Sequence, residues 1–574
     1  MCFSVYKPGC IVFITVALLV CSKLDAAVPP GQPDAGSIMR SQAPQRELPE
    51  SLPQIEEHLP VVTARGNGEI QVTVTAFRFY GYEELTTDAE LQSLVAENIG
   101  KSIDMNALQG ILDKVTAHLK AKGWFLAQAY LPEQDLVGGI IRIAIVQGKS
   151  DGTIRIKRGA SVRICDKTLE GFAIQGATPG EALNLRCLEY SLILVKDLPG
   201  IHARSMISPG SVTDTSVVTF EINEDPLVSG VAWSDNMGNY YTGAWSGYAL
   251  VTLNDPLRYG DRFTVMYSGS AGLNQGVFGY NFPIGFCGLR GRLTWTVMNY
   301  KLVQQLESLD YKGESSIIDG GLSWPIVKNR KTTVSAGVGY ISKHLIDRQR
   351  ANGLQRKTVK EASASLSLLN NDKWLGGGAT MLNISFNYGN FFQPARYDTQ
   401  HGVMGDFASM TGSCNRLQKV SSRVTLNLSC SSQFAFNNLD TSEKLYLGGP
   451  YGVRAYPVGE GGGDSGQLLN ADLKYQLPVS SAWGKVELGG FYDAGHIELN
   501  HNRYKNDVKN ITGRNEYWLE GAGVTLNWTV SKSYLIQCSW AHAIGENPGR
   551  NTNGNNSDGK SDNSRFWLQG MVKF

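Results

Sequence analysis

The sequence predicts a membrane β-barrel of antiparallel strands preceded by two α+β domains. Three observations predict it. From Asp225 onward the chain runs in segments of about ten residues that alternate apolar with small or polar side chains, as membrane strands do. Gly, Asn, Asp and Ser turns separate those segments. Ahead of them lie two units with one shared element order. Finally, no stretch beyond the N-terminal leader holds about 18 consecutive apolar residues, so a membrane-spanning form of this chain must cross with strands.

The 574 residues exceed the usual size of one domain. A net charge of +1 gives no strong attraction to nucleic acid. Charged residues make up only 18%, while 64 glycines and 10% aromatics suit a large β-structure with many turns. Lys7 precedes the apolar run Ile11 to Val20, which is short for a helical span and fits a signal-peptide core. The small residues Ala26 and Ala27 place cleavage near residue 27, so residues 1–27 read as a signal peptide. Cys21 follows Val20, a poor match to a lipoprotein site.

Residues 28–58 are polar and proline-bearing (Pro29, Pro30, Pro33, Pro44, Pro49, Pro53), and residues 28–69 read as an N-terminal helix and linker ahead of the first domain. Within them Ser37 to Gln42 lacks helix breakers, which allows one short helix between Asp34 and Gln45. Pro44 to Pro60 reads as a linker.

Residues 70–149 and 150–224 repeat the order β-α-α-β-β. In the first unit, Gln71–Phe79 alternates as a strand, followed by helices over Asp88–Asn98 and Met105–Lys122 and strands over Phe125–Leu131 and Ile140–Gln147. Met105, Leu108, Leu112, Val115 and Leu119 form one apolar stripe. In the second unit, strand Thr153–Lys157 precedes helices Lys167–Phe172 and Ala182–Lys196. Leu185, Leu188, Leu192 and Val195 share a face of the longer helix. Pro199-Gly200 then turns into strands Ile201–Ser208 and Ser216–Asn223.

Within residues 225–574 the strand parity can be read directly. Val424, Leu426, Leu428 and Cys430 share one face, opposite Arg423, Thr425, Asn427 and Ser429. Leu382, Ile384, Phe386 and Tyr388 oppose Met381, Asn383, Ser385 and Asn387. Val486, Leu488, Gly490 and Tyr492 oppose Lys485, Glu487, Gly489, Phe491 and Asp493. That parity turns Asp493 to the polar, lumenal face. A glycine-rich loop near residues 448–466 carries Val453-Arg454-Ala455-Tyr456. An arginine loop that reaches a strand carboxylate makes a charge-assisted latch. The chain closes on a strand whose apolar face is Phe566, Leu568, Val572 and Phe574.

These residues resemble the two-partner-secretion transporters, which export filamentous hemagglutinins and large hemolysins. Members of that family carry a loop motif Val-Arg-Gly-Tyr and a wall motif Phe-x-Asp-x-Gly. The second is intact as Phe491, Asp493 and Gly495. The first has Ala455 where glycine is usual, which bears on the path of the loop tip. Lys122-Gly123-Trp124, Leu131-Pro132-Glu133-Gln134 and Leu198-Pro199-Gly200 resemble turns of the family's POTRA domains. The resemblance implies sixteen strands, over fourteen or eighteen, an N-terminal helix that plugs the pore, and two periplasmic POTRA domains beneath an outer-membrane barrel. It implies export of one unfolded, secreted exoprotein of hemagglutinin, hemolysin or adhesin type, with or without its activation. Outer-membrane lipids surround the barrel, and the barrel assembly machinery reads a terminal strand ending in Phe574. An assembly factor of the same superfamily usually carries more POTRA domains than fit before residue 225, and a passive porin needs none.

Catalytic signatures are absent from the sequence. There is no GxSxG elbow, P-loop or HExxH, and the eight histidines show no metal-ligand spacing. His496 falls on the face opposite Asp493. The reading is of a non-enzyme with no cofactor, no metal and no nucleic-acid partner. Of nine cysteines, six lie beyond the leader: Cys165, Cys187, Cys287, Cys414, Cys430 and Cys538. Export to an oxidising compartment makes Cys165–Cys187 and Cys414–Cys430, the pairs nearest in sequence, candidate disulfides. Buried free thiols are the alternative.

Overall fold

The computed structural model describes residues 33–42, 71–135, 137–212, 214–350, 353–394, 402–480, 483–504, 508–531 and 533–574. The signal peptide and the proline-bearing linker expected from the sequence lie outside these residues.

Sixteen antiparallel strands, from Val228–Asp235 to Ser564–Lys573, close into a barrel. Period-two alternation builds the wall. Trp295, Trp324, Tyr340, Phe386, Leu488 and Trp540 stand exposed on the outer surface, where lipid replaces water and each polar backbone group is paired within the ladder. The seam is short: Gln569–Lys573 pairs with only five residues, Val231–Asp235. Phe574 extends it through reciprocal N–H···O bonds of 2.9 Å with Gly230. Its ring lies on that glycine, since a Cβ there would come within 2.3 Å of the ring.

Two α+β domains precede the barrel. In the first, strand Ala76–Tyr80 runs parallel to Ile140–Val146, which pairs antiparallel with Gln128–Tyr130. Helices α2 (Asp88–Val95) and α3 (Met105–Ala121) cover this sheet. Thr87 and Asp104 cap them by accepting the N–H of Glu90 and Ala107. Leu108, Leu112, Val115 and Leu119 are buried as their spacing predicts, each contributing about 1.5–3 kcal/mol of burial. Met105, in the first turn of α3, is exposed.

The second domain repeats the layout with strands Lys149–Arg158, Thr215–Glu224 and Ile201–Pro209 and helices α4 (Asp166–Ala173) and α5 (Leu185–Lys196). The buried face of α5 is Leu188, Ser191, Leu194 and Val195, so the stripe is rotated away from Leu185 and Leu192.

This second domain docks on the short turns at one end of the barrel. Phe286 of one turn meets Phe172 edge-on at 5.3 Å. Arg330 pairs with Glu189 at 2.9 Å, Lys328 pairs with Asp197, and Cys165 N–H donates to the Arg258 carbonyl. The opposite end carries the longer loops.

Helix α1 (Ala35–Gln42) lies inside the lumen against the walls Lys312–Lys328 and Thr332–Gln349. Asp34 caps it by accepting the Ser37 N–H at 2.8 Å while its own N–H donates to the Ser37 hydroxyl.

Candidate functional site

The chain between strands Val424–Ala435 and Ser465–Gln476 folds back into the lumen. Tyr446 and Leu445 pair with Gly462 and Gly463 at its base. Above that base, Leu447 accepts the Val453 N–H at 2.7 Å, and Gly449 N–H donates to Tyr456 O. Glycine is required at Gly452, where a Cβ would sit 2.0 Å from the Leu447 carbonyl oxygen. Gly449 adopts φ +117°, open to glycine at little cost. The tip is therefore a fixed shape and places Arg454 against one wall.

Arg454 and Asp493 meet there. Asp493 Oδ2 accepts the Arg454 backbone N–H at 3.0 Å and Nε at 2.9 Å, and Oδ1 accepts Nη2 at 2.7 Å. The remaining arm, Nη1, donates to Asp472 at 2.8 Å. Asp493 is fully buried and Arg454 nearly so. The guanidinium carbon lies 3.5 Å from the centre of the Phe491 ring, adding a cation–π contact. Asn470, the cross-strand neighbour of Asp493, donates to its Oδ1 at 2.8 Å and to Gly452 O at 2.8 Å. Trp567 Nε1 holds the Arg454 carbonyl. A fork-shaped, permanently charged donor is matched here to two carboxylates with every arm engaged.

Val453, Ala455 and Tyr456 are buried with Leu468, Phe491, Ile497, Tyr517 and Leu519. Gly495 makes room for the tip, since a Cβ there would lie 2.8 Å from Leu447. Ala455 is accommodated by its neighbour: a Cβ at Gly521 would come within 2.6 Å of the Ala455 methyl. The loop tip thus accepts alanine because the facing wall position has no side chain. His496 sits on the outer face beside Trp518, away from Asp493.

Sequence reasoning did not single out Asp472 and Asn470. The polar, even-numbered alternation of Asn470 and Asp472 was the available signal. It also missed a second charged cluster around α1. Lys357 Nζ bridges Asp34 at 2.6 Å and Asp440 at 3.1 Å, all three nearly inaccessible. Asp347 accepts the Ala35 N–H at 3.0 Å and the Tyr300 hydroxyl at 2.5 Å. Arg40 donates to Gln433 and to the Lys444 carbonyl. Ala35 and Ile38 are buried against Leu273, Met298, Tyr311 and Leu345. Beside these two bodies the lumen keeps a cavity of about 530 Å³, lined by Ser335, Ser363, Ser365, Asn383 and Thr411 among others.

The expected disulfides are not formed. All six cysteines are free thiols. Cys165 is the residue before α4 and Cys187 is exposed on α5, on separate elements. Cys414 and Cys430 are register partners in adjacent strands, both exposed with unbonded thiols. Among the described residues, no group of three His, Cys, Asp or Glu has the placement of a metal site.

The profile of the family described as haemolysin secretion/activation protein ShlB/FhaC/HecB matches residues 214–524, and that of the ShlB-type POTRA domain matches residues 72–148. The heme/hemopexin transporter protein HuxB of Haemophilus influenzae strain 86-028NP is 26% identical over 558 residues, 95% of either chain. The outer membrane transporter CdiB of Escherichia coli O6:K15:H31 is 27% identical over 426 residues, 72% of this chain and 70% of that one. In fold, the chain is similar to the solved structure of CdiB from Escherichia coli, with a TM-score of 0.71 at 22% identity, covering 90% of this chain and 93% of the other. The chain belongs to the haemolysin secretion/activation family, and it is an outer-membrane β-barrel transporter that passes a secreted partner protein out of the periplasm by two-partner secretion.

Proposed function

We propose that the loop carrying Val453, Arg454, Ala455 and Tyr456 is the fixed part of the export gate and that α1 is its removable part. One observation carries this reading: Lys357, which holds α1, has a second charged partner in the wall, whereas Asp493 and Asp472, which hold Arg454, have no other cation at ion-pairing distance among the described residues. When α1 leaves, Lys357 keeps Asp440 and Asp347 keeps the Tyr300 hydroxyl. Release forfeits the contacts of Asp34 and Arg40 and the burial of Ala35 and Ile38, but it leaves Lys357 paired. Pulling Arg454 away would leave Asp493 and Asp472 buried without a cation, which is expensive.

The exported partner arrives unfolded. Residues 70–149 and 150–224 act as the periplasmic capture domains, and an extended segment of the partner adds to a sheet edge there. It displaces α1, which withdraws on the segment of residues 28–69, and threads the polar lumen of residues 225–574. Folding outside opposes return. Hydroxyl-rich lining offers an extended chain hydrogen bonds that water matches, so it binds the passenger weakly and lets it move. The chain performs no catalysis and needs no cofactor. Outer-membrane lipids solvate the aromatic outer face, and the barrel assembly machinery recognises the last strand through Phe574.

Deleting the gene and profiling the culture supernatant tests this reading. One large protein should vanish from the supernatant and return on complementation. A supernatant of unchanged composition overturns it.

A further inference from the structure

The barrel turn between Ser246–Asn254 and Arg262–Ser270 holds two carboxyls that the export gate does not use. Asp255 and Asp261 are 1% and 0% exposed. Each spends one oxygen on the turn's own backbone: Asp255 Oδ1 accepts the Gly260 N–H at 2.6 Å and Asp261 Oδ1 accepts the Leu257 N–H at 3.2 Å. Oδ2 of both meets no donor among the described residues. The Asp255 N–H donates to the Asp261 carbonyl at 2.8 Å, which pairs the two residues across the same turn. Two ionised carboxylates in such a place repel, whereas one proton between them gives both a partner.

We propose that Asp255 and Asp261 share one proton, and that this proton clamps the turn on which the second POTRA domain docks. The turn is part of that joint. Arg258 O accepts the Cys165 N–H at 3.1 Å, and Leu198 packs on Gly260. Asn254 O accepts Arg163 Nη2 at 3.0 Å.

The charged and titratable surroundings do not supply a substitute counter-ion. Glu224, on the last strand of the second POTRA domain, adds negative charge and is itself held by Arg163. Arg262 is influenced by Asp225, and its Nε finds no acceptor. Arg290 donates to the Gly260 carbonyl at 3.5 Å and is drawn by Asp197. The Tyr280 hydroxyl lies beside Asp261, and Arg258 and Tyr259 are exposed on the turn's outer side.

Burial, reinforced by Glu224 and Asp261 and opposed by the Gly260 N–H, raises Asp255 from 3.8 to about 6. A raised acid favours the folded turn fully below the unfolded value of 3.8, and that advantage is lost as pH rises through about 6. The joint is therefore tight in acid and looser at neutral pH.

Full-length protein in detergent tests this by amide hydrogen exchange at about pH 5 and about pH 7.5. After correction for intrinsic exchange, protection of Leu257 and Gly260 should fall by roughly tenfold across that range. In Asp255→Asn, whose amide stays neutral like a protonated acid, the change should disappear. Infrared spectroscopy of the unsubstituted protein should show a protonated-carboxyl band at the lower pH that Asp255→Asn removes. Flat protection in the wild type, or the same pH dependence in Asp255→Asn, overturns the proposal. So does loss of protection on chelation at constant pH, which would assign a divalent cation to the pair. Should Asp255→Asn fail to assemble, Asp261→Asn and the wild-type infrared band decide between the same outcomes.

Discussion

Replacing Arg454 by alanine removes three side-chain hydrogen bonds and one cation–π contact from a site with almost no solvent. Asp493 keeps two neutral donors, the backbone N–H of residue 454 and the Asn470 amide. Asp472 loses its ion-pair partner, the one cation that reaches it among the described residues. Breaking one partner of a buried pair costs about 3–5 kcal/mol, and the two surviving donors place this case near 3. That is roughly a hundredfold in the ratio of latched to unlatched loop. Asp493→Ala should cost a similar amount, because Arg454 then keeps only Asp472. The double variant should be little worse than either single one, since each already removes the same contact. Arg454→Lys should recover only part, as an ammonium cannot fill two carboxylates with a planar fork. The assay is secretion per assembled transporter, with protease sensitivity of residues 448–466 as a direct readout of the loop. Strictly additive losses in the double variant would refute a shared latch.

Three further outcomes are expected. Gly521→Ala should reduce secretion without loss of barrel, because its methyl meets that of Ala455, and Ala455→Gly should rescue it; a Gly521→Ala variant with full secretion would contradict the packing argument. Phe574→Ser should lower the amount of heat-modifiable barrel in the outer membrane, since the ring seats on Gly230 at a five-residue seam; normal levels would count against that role. Removing residues 71–147 should abolish secretion while the barrel still assembles, as those residues carry their own core; continued export would exclude them from capture.

Much of this was legible from period and parity. Alternation in Lys485–Glu498 turned Asp493 inward before any neighbour was known, and the α3 stripe named four of the buried leucines and valines correctly. What local rules do not reach is pairing across long separations. Asp34 and Lys357 are 323 positions apart, and only closure of the barrel brings them together. The tolerance of Ala455 depended on an absent side chain at Gly521, on another strand. Nearness in sequence misled for cysteine, because Cys165 precedes α4 while Cys187 lies on α5. Met105 misled because periodicity gives the apolar face of a helix but not how much of its length is covered.

The most direct test of the gate pins α1 to the connector beside the loop. A Cβ at Gly36 would lie 2.9 Å from the Ser442 Cβ and 2.8 Å from its backbone nitrogen, so a disulfide between cysteines at both positions forms once α1 backs off to the roughly 3.5–4.5 Å Cβ separation of such a bridge. In the Gly36→Cys/Ser442→Cys variant, secretion should stop under oxidising conditions and resume when a reductant opens the bridge, to the level of the Gly36→Cys single variant, with barrel levels unchanged. Full export with the bridge demonstrably closed would show that the partner leaves without displacing α1, and would contradict the account.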